Sequence, residues 1–138
     1  MVIAASFPVD TSSAEPKAVL VDVRPERRAL VARVVDLALG KGTVVAEVAT
    51  ASEAVAAIDD PTINTAIVEM LPVAEGLSVI ASLRAARPDL RIVVCTFHDG
   101  RVTREQAAAA GVDVYLVKPA SARELRDALR FRRPSPAP

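Results

Sequence analysis

Three apolar runs in the sequence each end in a polar side chain that could take part in chemistry. Asp22 follows AVLV, Thr96 follows IVVC, and Lys118 follows YLV and precedes Pro119. If these runs are parallel β-strands, the polar side chains share the carboxyl edge of one sheet, where α/β proteins bind ligands. We therefore expect an acid, a hydroxyl and an ammonium group to converge there.

A further strand end lacks the group that would complete such a site. The run TAIV ends in Glu69 and continues as MLP, so no aspartate stands there to act as a carboxylate nucleophile. The strand ends therefore supply donor groups, at Thr96 and Lys118, more completely than they supply aspartates.

The composition predicts one compact domain. The 138 residues are 51% hydrophobic with a mean hydropathy of +0.32, which is ample for a packed core. Aromatic residues supply only 3%, so the core must consist of Val, Leu, Ile and Ala, which suits a parallel sheet buried on both faces. Seventeen basic and seventeen acidic residues balance, so the overall charge of a nucleic-acid-binding protein is missing.

Single residues that invite a chemical role are interpreted more simply. Cys95 lies inside an apolar run, so we expect a buried core residue in a reducing cytoplasm rather than a nucleophile. His98 has no ligand cluster beside it, so no metal site is predicted there. The stretch MVIAASFPVDTSSAEP has no basic leader and is broken by Pro8 and Asp10, so neither a signal peptide nor a membrane span is predicted. We expect a soluble cytoplasmic protein without a membrane partner.

Strand-like runs alternate with helical segments along the chain. This alternation predicts a five-stranded parallel sheet with helices on both faces. The runs begin near Ala18, Thr43, Asn64, Arg91 and Asp113.

Local signals predict where the helices begin and end. Capping-box spacing marks three starts, and a proline suits the first turn of another helix. The pairs are Thr50 with Glu53, Ser121 with Glu124 and, as a weaker example, Thr103 with Gln106; the proline is Pro25. Glycine or proline follows three helices, at Gly40 and Gly42, at Pro88 and at Gly111.

Two apolar stripes at helical spacing are interpreted as core-facing. They are Leu30, Val34 and Leu37 in the first helix and Leu77, Ile80 and Leu83 in the third. Half of the ten prolines lie in residues 1–17 and 134–138, so we expect disordered tails there and a folded domain over residues 18–133.

The ordered set of residues resembles the receiver domain of two-component response regulators, a module that accepts a phosphoryl group from a histidine kinase. Asp22 in VLVDVRPERR resembles the first acid of a receiver, and Thr96 its conserved hydroxyl. Lys118 with Pro119 is similar to its lysine-proline pair, and Tyr115 to its switch aromatic. Further matching positions are Pro72, Gly76, Leu77, Ile80, Leu83, Gly111 and Asp113. The resemblance implies a flavodoxin-like, doubly wound (βα)5 three-layer sandwich.

The sequence departs from the receiver pattern at its acids. The second acid of a receiver, which ligates magnesium, is replaced by Val23, which cannot bind a metal. The acceptor position falls on Val68 when counted back from Pro72, or on Glu69 when counted along the strand. The resemblance therefore implies a degenerate phosphorylation site. Because Mg²⁺ requires several oxygen ligands, we expect no cofactor, with Asp22 and Glu69 as the only weak candidates for metal ligands.

We predict a phosphorylation-independent, pseudo-receiver-like signalling module rather than an enzyme, which acts by binding a protein partner or a second copy of itself. The alternative is a phosphoacceptor that uses Asp22 and Glu69 around Mg²⁺. A flavodoxin-like enzyme or cofactor-binding protein is a third hypothesis, but the sequence contains no GxGxxG or Walker loop. Direct nucleic-acid binding is not expected, and a histidine kinase stays open as a partner.

The last helix carries a candidate partner surface. In receivers the fourth helix, fifth strand and fifth helix form a common surface for partners or dimers, and here Arg123, Arg126 and Arg130 would lie on it. Their alternation with Glu124 and Asp127 favours a solvated helix face, and a docking surface is the second interpretation. Both interpretations stay open at this point.

Overall fold

One parallel sheet organises the protein. The computed structural model describes residues 15–130 and orders five strands as β2-β1-β3-β4-β5. The chain runs from β1 outward to β2 and then crosses to β3 on the other side of β1, so a topological switch point lies between β1 and β3. The strands are β1 Ala18–Val21, β2 Val44–Val48, β3 Thr65–Val68, β4 Arg91–Thr96 and β5 Val114–Val117. The predicted flavodoxin-like, doubly wound fold is confirmed; of the predicted tails, residues 1–14 and 134–138 lie outside the described residues.

In the part of the chain that the structure describes, five helices cover the two faces of the sheet. Helices α1 and α5 pack with Leu20 and Ile67 on one face, while α2, α3 and α4 pack with Val19 and Val68 on the other. Neighbouring strand residues therefore enter opposite cores, as expected for a parallel sheet buried on both sides. The helices are α1 Pro25–Leu39, α2 Ala51–Ala57, α3 Val73–Ala86, α4 Arg101–Ala110 and α5 Ala122–Leu129. Within residues 15–130, none of these helices has the length and apolar character needed to cross a membrane.

Most of the predicted helix boundaries are confirmed. Thr50 and Ser121 both form complete capping boxes, with Glu53 and Glu124 respectively, and Pro25 is in the first turn of α1. The weaker capping prediction at Thr103 is wrong, because α4 begins two residues earlier, after Gly100. The hydroxyl of Thr103 is instead 2.8 Å from Nε2 of His98, in the loop that leads into the helix.

The prediction for α1 chose the wrong face. Leu30, Val34 and Leu37 are 61%, 41% and 82% exposed, and the face turned to the sheet carries Val31 and Val35 instead. Both stripes have helical spacing and are offset by a single residue, so spacing alone does not distinguish the stripe that faces the core. In the third helix the prediction is confirmed for Ile80 and Leu83, which are buried, and Leu77 packs against the same core.

Candidate functional site

Glu69 is the centre of the cluster at the carboxyl edge of the sheet. It directly follows β3, and its side chain is only 4% exposed. Its Oε1 lies 3.0 Å from Nζ of Lys118. Its Oε2 accepts hydrogen bonds from the hydroxyl of Thr96 and from the backbone N–H groups of Met70, at 2.9 Å, and Leu71, at 3.1 Å. Both carboxylate oxygens are therefore already held by donors.

Asp22 is buried beside this cluster and is bound by a guanidinium group. Nε of Arg27 donates to Oδ2 of Asp22 at 2.6 Å, and Nη2 donates to Oδ1 at 2.7 Å. The backbone N–H of Arg24 donates to the same Oδ1 at 3.0 Å, so Asp22 also forms the turn that leads into α1. The hydrogen bond to Asp22 raises the pKa of Arg27, opposed by partial burial.

Arg27 links the two acids, and the sequence analysis missed it. Its Nε lies 3.7 Å from Oε1 of Glu69, and its Nη2 donates to the backbone carbonyl of Leu71 at 2.8 Å. A sequence signal did exist. An acid at a strand end, followed five residues later by an arginine in the first helical turn, allows the arginine to turn back onto that acid.

The side chains of Val68 and Val23, the other candidate positions of the acidic site, do not join the Glu69 cluster. Val68 lies within β3 and is buried in the core beneath α3, so its side chain does not face the cluster. Val23 is 48% exposed, and its side chain carries no oxygen atom. Of the two positions weighed for the acceptor, Glu69 is the one whose side chain reaches Lys118 and Thr96.

Helix α3 fixes the turn that carries Glu69. A Cβ atom at Gly76 would lie 2.9 Å from the backbone oxygen of Glu69 and 2.9 Å from the sulfur of Met70. Real Cβ atoms do not approach this closely, so only glycine lets the helix pack against this turn. The glycine therefore helps to define where the Glu69 carboxylate points.

A chain of hydrogen bonds runs from the cluster to Tyr115. The backbone N–H of His98 donates to Oγ1 of Thr96 at 3.2 Å, and the hydroxyl of Tyr115 donates to the carbonyl of His98 at 2.7 Å. The guanidinium of Arg104 lies 4.8 Å from the centroid of the Tyr115 ring. Burial raises the pKa of Tyr115, with the charge of Arg104 acting in the opposite direction.

The three arginines of the candidate partner surface differ in their surroundings. Arg123 is exposed. Arg126 is partly buried and donates to the carbonyl of Ala38 at 3.4 Å, and Arg130 forms a 3.2 Å ion pair with Glu15. Arg126 and Arg130 therefore contribute contacts within the molecule.

Cys95 lies on the opposite side of the sheet from the α3 core, as predicted for a core residue. It is 6% exposed, and burial raises the pKa of its thiol to about 11. It lines a cavity of about 280 Å³ between α1 and the loop after β5, together with Leu30, Val34 and Phe97.

The residues of the cluster do not fit a magnesium ion in this arrangement. Mg²⁺ needs hard oxygen ligands in nearly octahedral geometry. The carboxylate of Asp22 is bound by Arg27, and that of Glu69 by Lys118 and Thr96. Within residues 15–130, no group of three or more His, Cys, Asp or Glu side chains could hold a metal ion.

The chain is similar in sequence to a family model and to curated proteins. Residues 18–130 match the family model described as the response regulator receiver domain. The photosynthetic apparatus regulatory protein RegA of Rhodovulum sulfidophilum is 38% identical over 85 residues, which is 61% of this chain and 45% of that protein. RegA of Rhodobacter capsulatus is 35% identical over 91 residues, which is 65% of this chain and 48% of that protein. The chain thus matches about half the length of these curated relatives.

The fold of this chain is also similar to that of solved structures. A Burkholderia pseudomallei response regulator with a phosphorylated aspartic acid, a calcium ion and citrate superposes with a TM-score of 0.69 and 28% identity, over 83% of this chain and 66% of that one. A CheY-like receiver domain protein from Methanospirillum hungatei superposes with a TM-score of 0.65 and 24% identity, over 80% of this chain and 87% of that one. The second similarity concerns the fold alone.

Proposed function

The chain belongs to the response regulator receiver domain family, and from this premise we propose that it is a signalling module of the two-component type that acts without being phosphorylated. The observation that carries the proposal is the set of contacts around Glu69. A carboxylate that attacks a phosphoryl group must present a lone pair in line with the leaving group. Here Oε2 of Glu69 accepts three hydrogen bonds, Oε1 lies between the cations of Lys118 and Arg27, and the residue is 7% exposed. The carboxylate is therefore enclosed by donors and not presented to an incoming phosphoryl group.

Glu69 also reproduces what a phosphoryl group would offer to its surroundings. Its side chain is one methylene longer than that of aspartate, and its anionic oxygens lie within hydrogen-bonding distance of an ammonium, a hydroxyl and two backbone N–H groups. Because these donors are already engaged, an incoming phosphoryl group would have to displace the carboxylate from them. The domain is accordingly held in one state, and we assign it no catalytic role.

The experiment that tests this proposal exposes the protein to a phosphoryl analogue. The chain is incubated with beryllofluoride or acetyl phosphate and Mg²⁺, and its intact mass and amide spectrum are recorded. We expect both to stay unchanged. The Burkholderia pseudomallei response regulator, whose structure contains a phosphorylated aspartic acid, is the positive control. A stable adduct on Glu69 or Asp22 would overturn the proposal in favour of a phosphoacceptor with divergent ligands.

We place the partner surface on α4, β5 and α5, and the partner is a protein or a second copy of the chain. The hydrogen bonds from Thr96 through His98 to Tyr115 support this placement, because they join the Glu69 cluster to β5 and to the loop before α4. Of the three arginines predicted for this surface, Arg123 suits a test because it is exposed, whereas Arg126 and Arg130 have contacts within the molecule.

The surface is tested by charge reversal at Arg123. Self-association is measured by sedimentation velocity for the wild type, for Arg123→Glu and for Arg33→Glu, a matched reversal at an exposed residue of α1. If copies associate through α4, β5 and α5, Arg123→Glu weakens association about tenfold or more and Arg33→Glu does not. Association that both variants leave unchanged argues against this surface, and a chain that stays monomeric leaves a different protein as the partner.

A further inference from the structure

The guanidinium of Arg27 lies where three oxygen-bearing groups meet. It donates two hydrogen bonds to the carboxylate of Asp22, at 2.6 and 2.7 Å, and one to the backbone carbonyl of Leu71, at 2.8 Å. Its Nε is 3.7 Å from the nearer oxygen of Glu69. One cation thus bridges two carboxylates and a carbonyl at the carboxyl edge of β1 and β3.

These three groups are the oxygen ligands that a hard divalent cation would use. Carboxylate and carbonyl oxygens are preferred by Mg²⁺ and Mn²⁺, and the guanidinium occupies the space between them. A planar guanidinium stays charged at every physiological pH and binds a carboxylate through two parallel hydrogen bonds. Because Arg27 is part of α1, this cation cannot diffuse away as a metal ion can.

We infer that Arg27 is the resident cation of this site: it takes the place of a divalent ion between Asp22 and Glu69, it excludes such ions from the wild-type protein, and its removal opens a divalent-cation site. The inference rests on the proposed function and deepens it, because a site that already contains its cation has no need of magnesium to hold its acids together. An ordinary structural ion pair between Arg27 and Asp22 would not generate a metal site when broken, and this difference makes the two interpretations distinguishable.

The test compares Mn²⁺ binding to the wild type and to Arg27→Ala in the absence of any phosphodonor. Binding is followed by electron paramagnetic resonance of free Mn²⁺ and by paramagnetic broadening of amide signals. We expect no saturable binding by the wild type and binding in about the millimolar range by Arg27→Ala, with a Kd at least about tenfold below the lower limit that the titration sets for the wild type. The broadened amides should be those of Asp22, Glu69 and Leu71.

Two further variants control the experiment. Arg24→Ala removes the same charge from an exposed side chain three residues away, so it should bind no more Mn²⁺ than the wild type. Adding Asp22→Asn to Arg27→Ala should abolish the gained binding, because it removes a ligand. If Arg27→Ala does not fold, Arg27→Gln replaces it, because the glutamine amide can still donate to Asp22 and help the variant to fold. We expect Arg27→Gln to gain Mn²⁺ binding as well.

Each contrary result has a definite meaning. Broadening at Asp22 and Glu69 in the wild type would overturn the inference, and this measurement needs no variant. A folded Arg27→Ala or Arg27→Gln that binds no Mn²⁺ would also overturn it and reduce Arg27 to a structural ion pair. These measurements use no phosphodonor, so they do not test phosphorylation independence. That proposal is tested separately, by the experiment with beryllofluoride or acetyl phosphate.

Discussion

Lys118 and Glu69 form an ion pair almost entirely shielded from solvent: Nζ and Oε1 are 3.0 Å apart, and the two side chains are 10% and 4% exposed. The residues are 49 positions apart in sequence and join the ends of β3 and β5 across the intervening strand β4. Breaking such a pair on one side leaves the other charge buried without its partner, which is costly.

Neutralising Glu69 should therefore destabilise the domain. We expect Glu69→Gln to lower the free energy of unfolding by about 3–5 kcal/mol, because it leaves the buried ammonium of Lys118 without its counter-charge. Arg27 keeps its hydrogen bonds to Asp22. Urea denaturation followed by circular dichroism measures the change. Glu75→Gln, at an exposed position in the first turn of α3, is the matched control and should stay close to the wild type. A Glu69→Gln variant as stable as this control would show that the pair contributes little.

The same pair should be strongly non-additive. We expect the double variant Glu69→Gln with Lys118→Met to be more stable than the sum of the two single changes implies, by at least about 1 kcal/mol. The physical reason is that the second change removes the charge that the first one leaves uncompensated. A double-mutant cycle built from urea denaturation curves gives the coupling energy. Strict additivity would mean that the two side chains do not interact in solution.

Replacing Gly76 should disturb the turn that carries Glu69. An added Cβ would meet the backbone oxygen of Glu69 at 2.9 Å, so Gly76→Ala should cost about 1–3 kcal/mol even though alanine favours helix formation. The amide signals of Glu69, Met70 and Leu71 should shift most. Ser78→Ala, at an exposed position of the same helix, controls for helix propensity. An unchanged stability with unmoved amide signals would contradict the close packing described for this helix.

The thiol of Cys95 should react slowly in the folded protein. Burial raises its pKa from 9.0 to about 11, so at pH 8 the thiolate fraction is about a hundredfold smaller than in the unfolded chain. The rate of reaction with a disulfide reagent, with and without urea, measures this difference, and a rate in the native protein equal to that in urea would refute it. Because the folded thiol keeps its proton at a pH where the unfolded thiol loses it, the contribution of Cys95 to stability is complete below pH 9 and declines as the pH rises towards 11.

Local signals in the sequence predicted much of the fold. The capping boxes at Thr50 and Ser121 depend only on neighbouring residues, so they could be identified before the chain was folded in space. The face of α1 could not, because two apolar stripes one residue apart satisfy the same periodicity, and only contact with the sheet and α5 selects Val31 and Val35 over Leu30 and Leu37.

The sequence predicted those site residues that directly follow a strand. It did not predict contacts that depend on how far a side chain extends and in which direction. Thr96 and Lys118 end their strands at one edge, and the structure brings both to Glu69. The choice between Val68 and Glu69 required the strand register, which a count along the sequence does not provide. The role of Arg27 was not predicted, because the sequence around an arginine does not show whether its side chain extends into solvent or folds back onto a buried acid.

The two acids and the two bases of the cluster have formal charges that sum to zero. Asp22 and Glu69 supply two negative charges, while Arg27 and Lys118 supply two positive ones, all within a few side-chain lengths. Such a set is self-neutralising, so it presents little net charge to dissolved ions. Changes in salt concentration should therefore alter the free energy of the cluster only slightly. Any replacement that neutralises one member leaves a surplus of one unit, so this part of the molecule tolerates substitutions in compensating pairs better than singly.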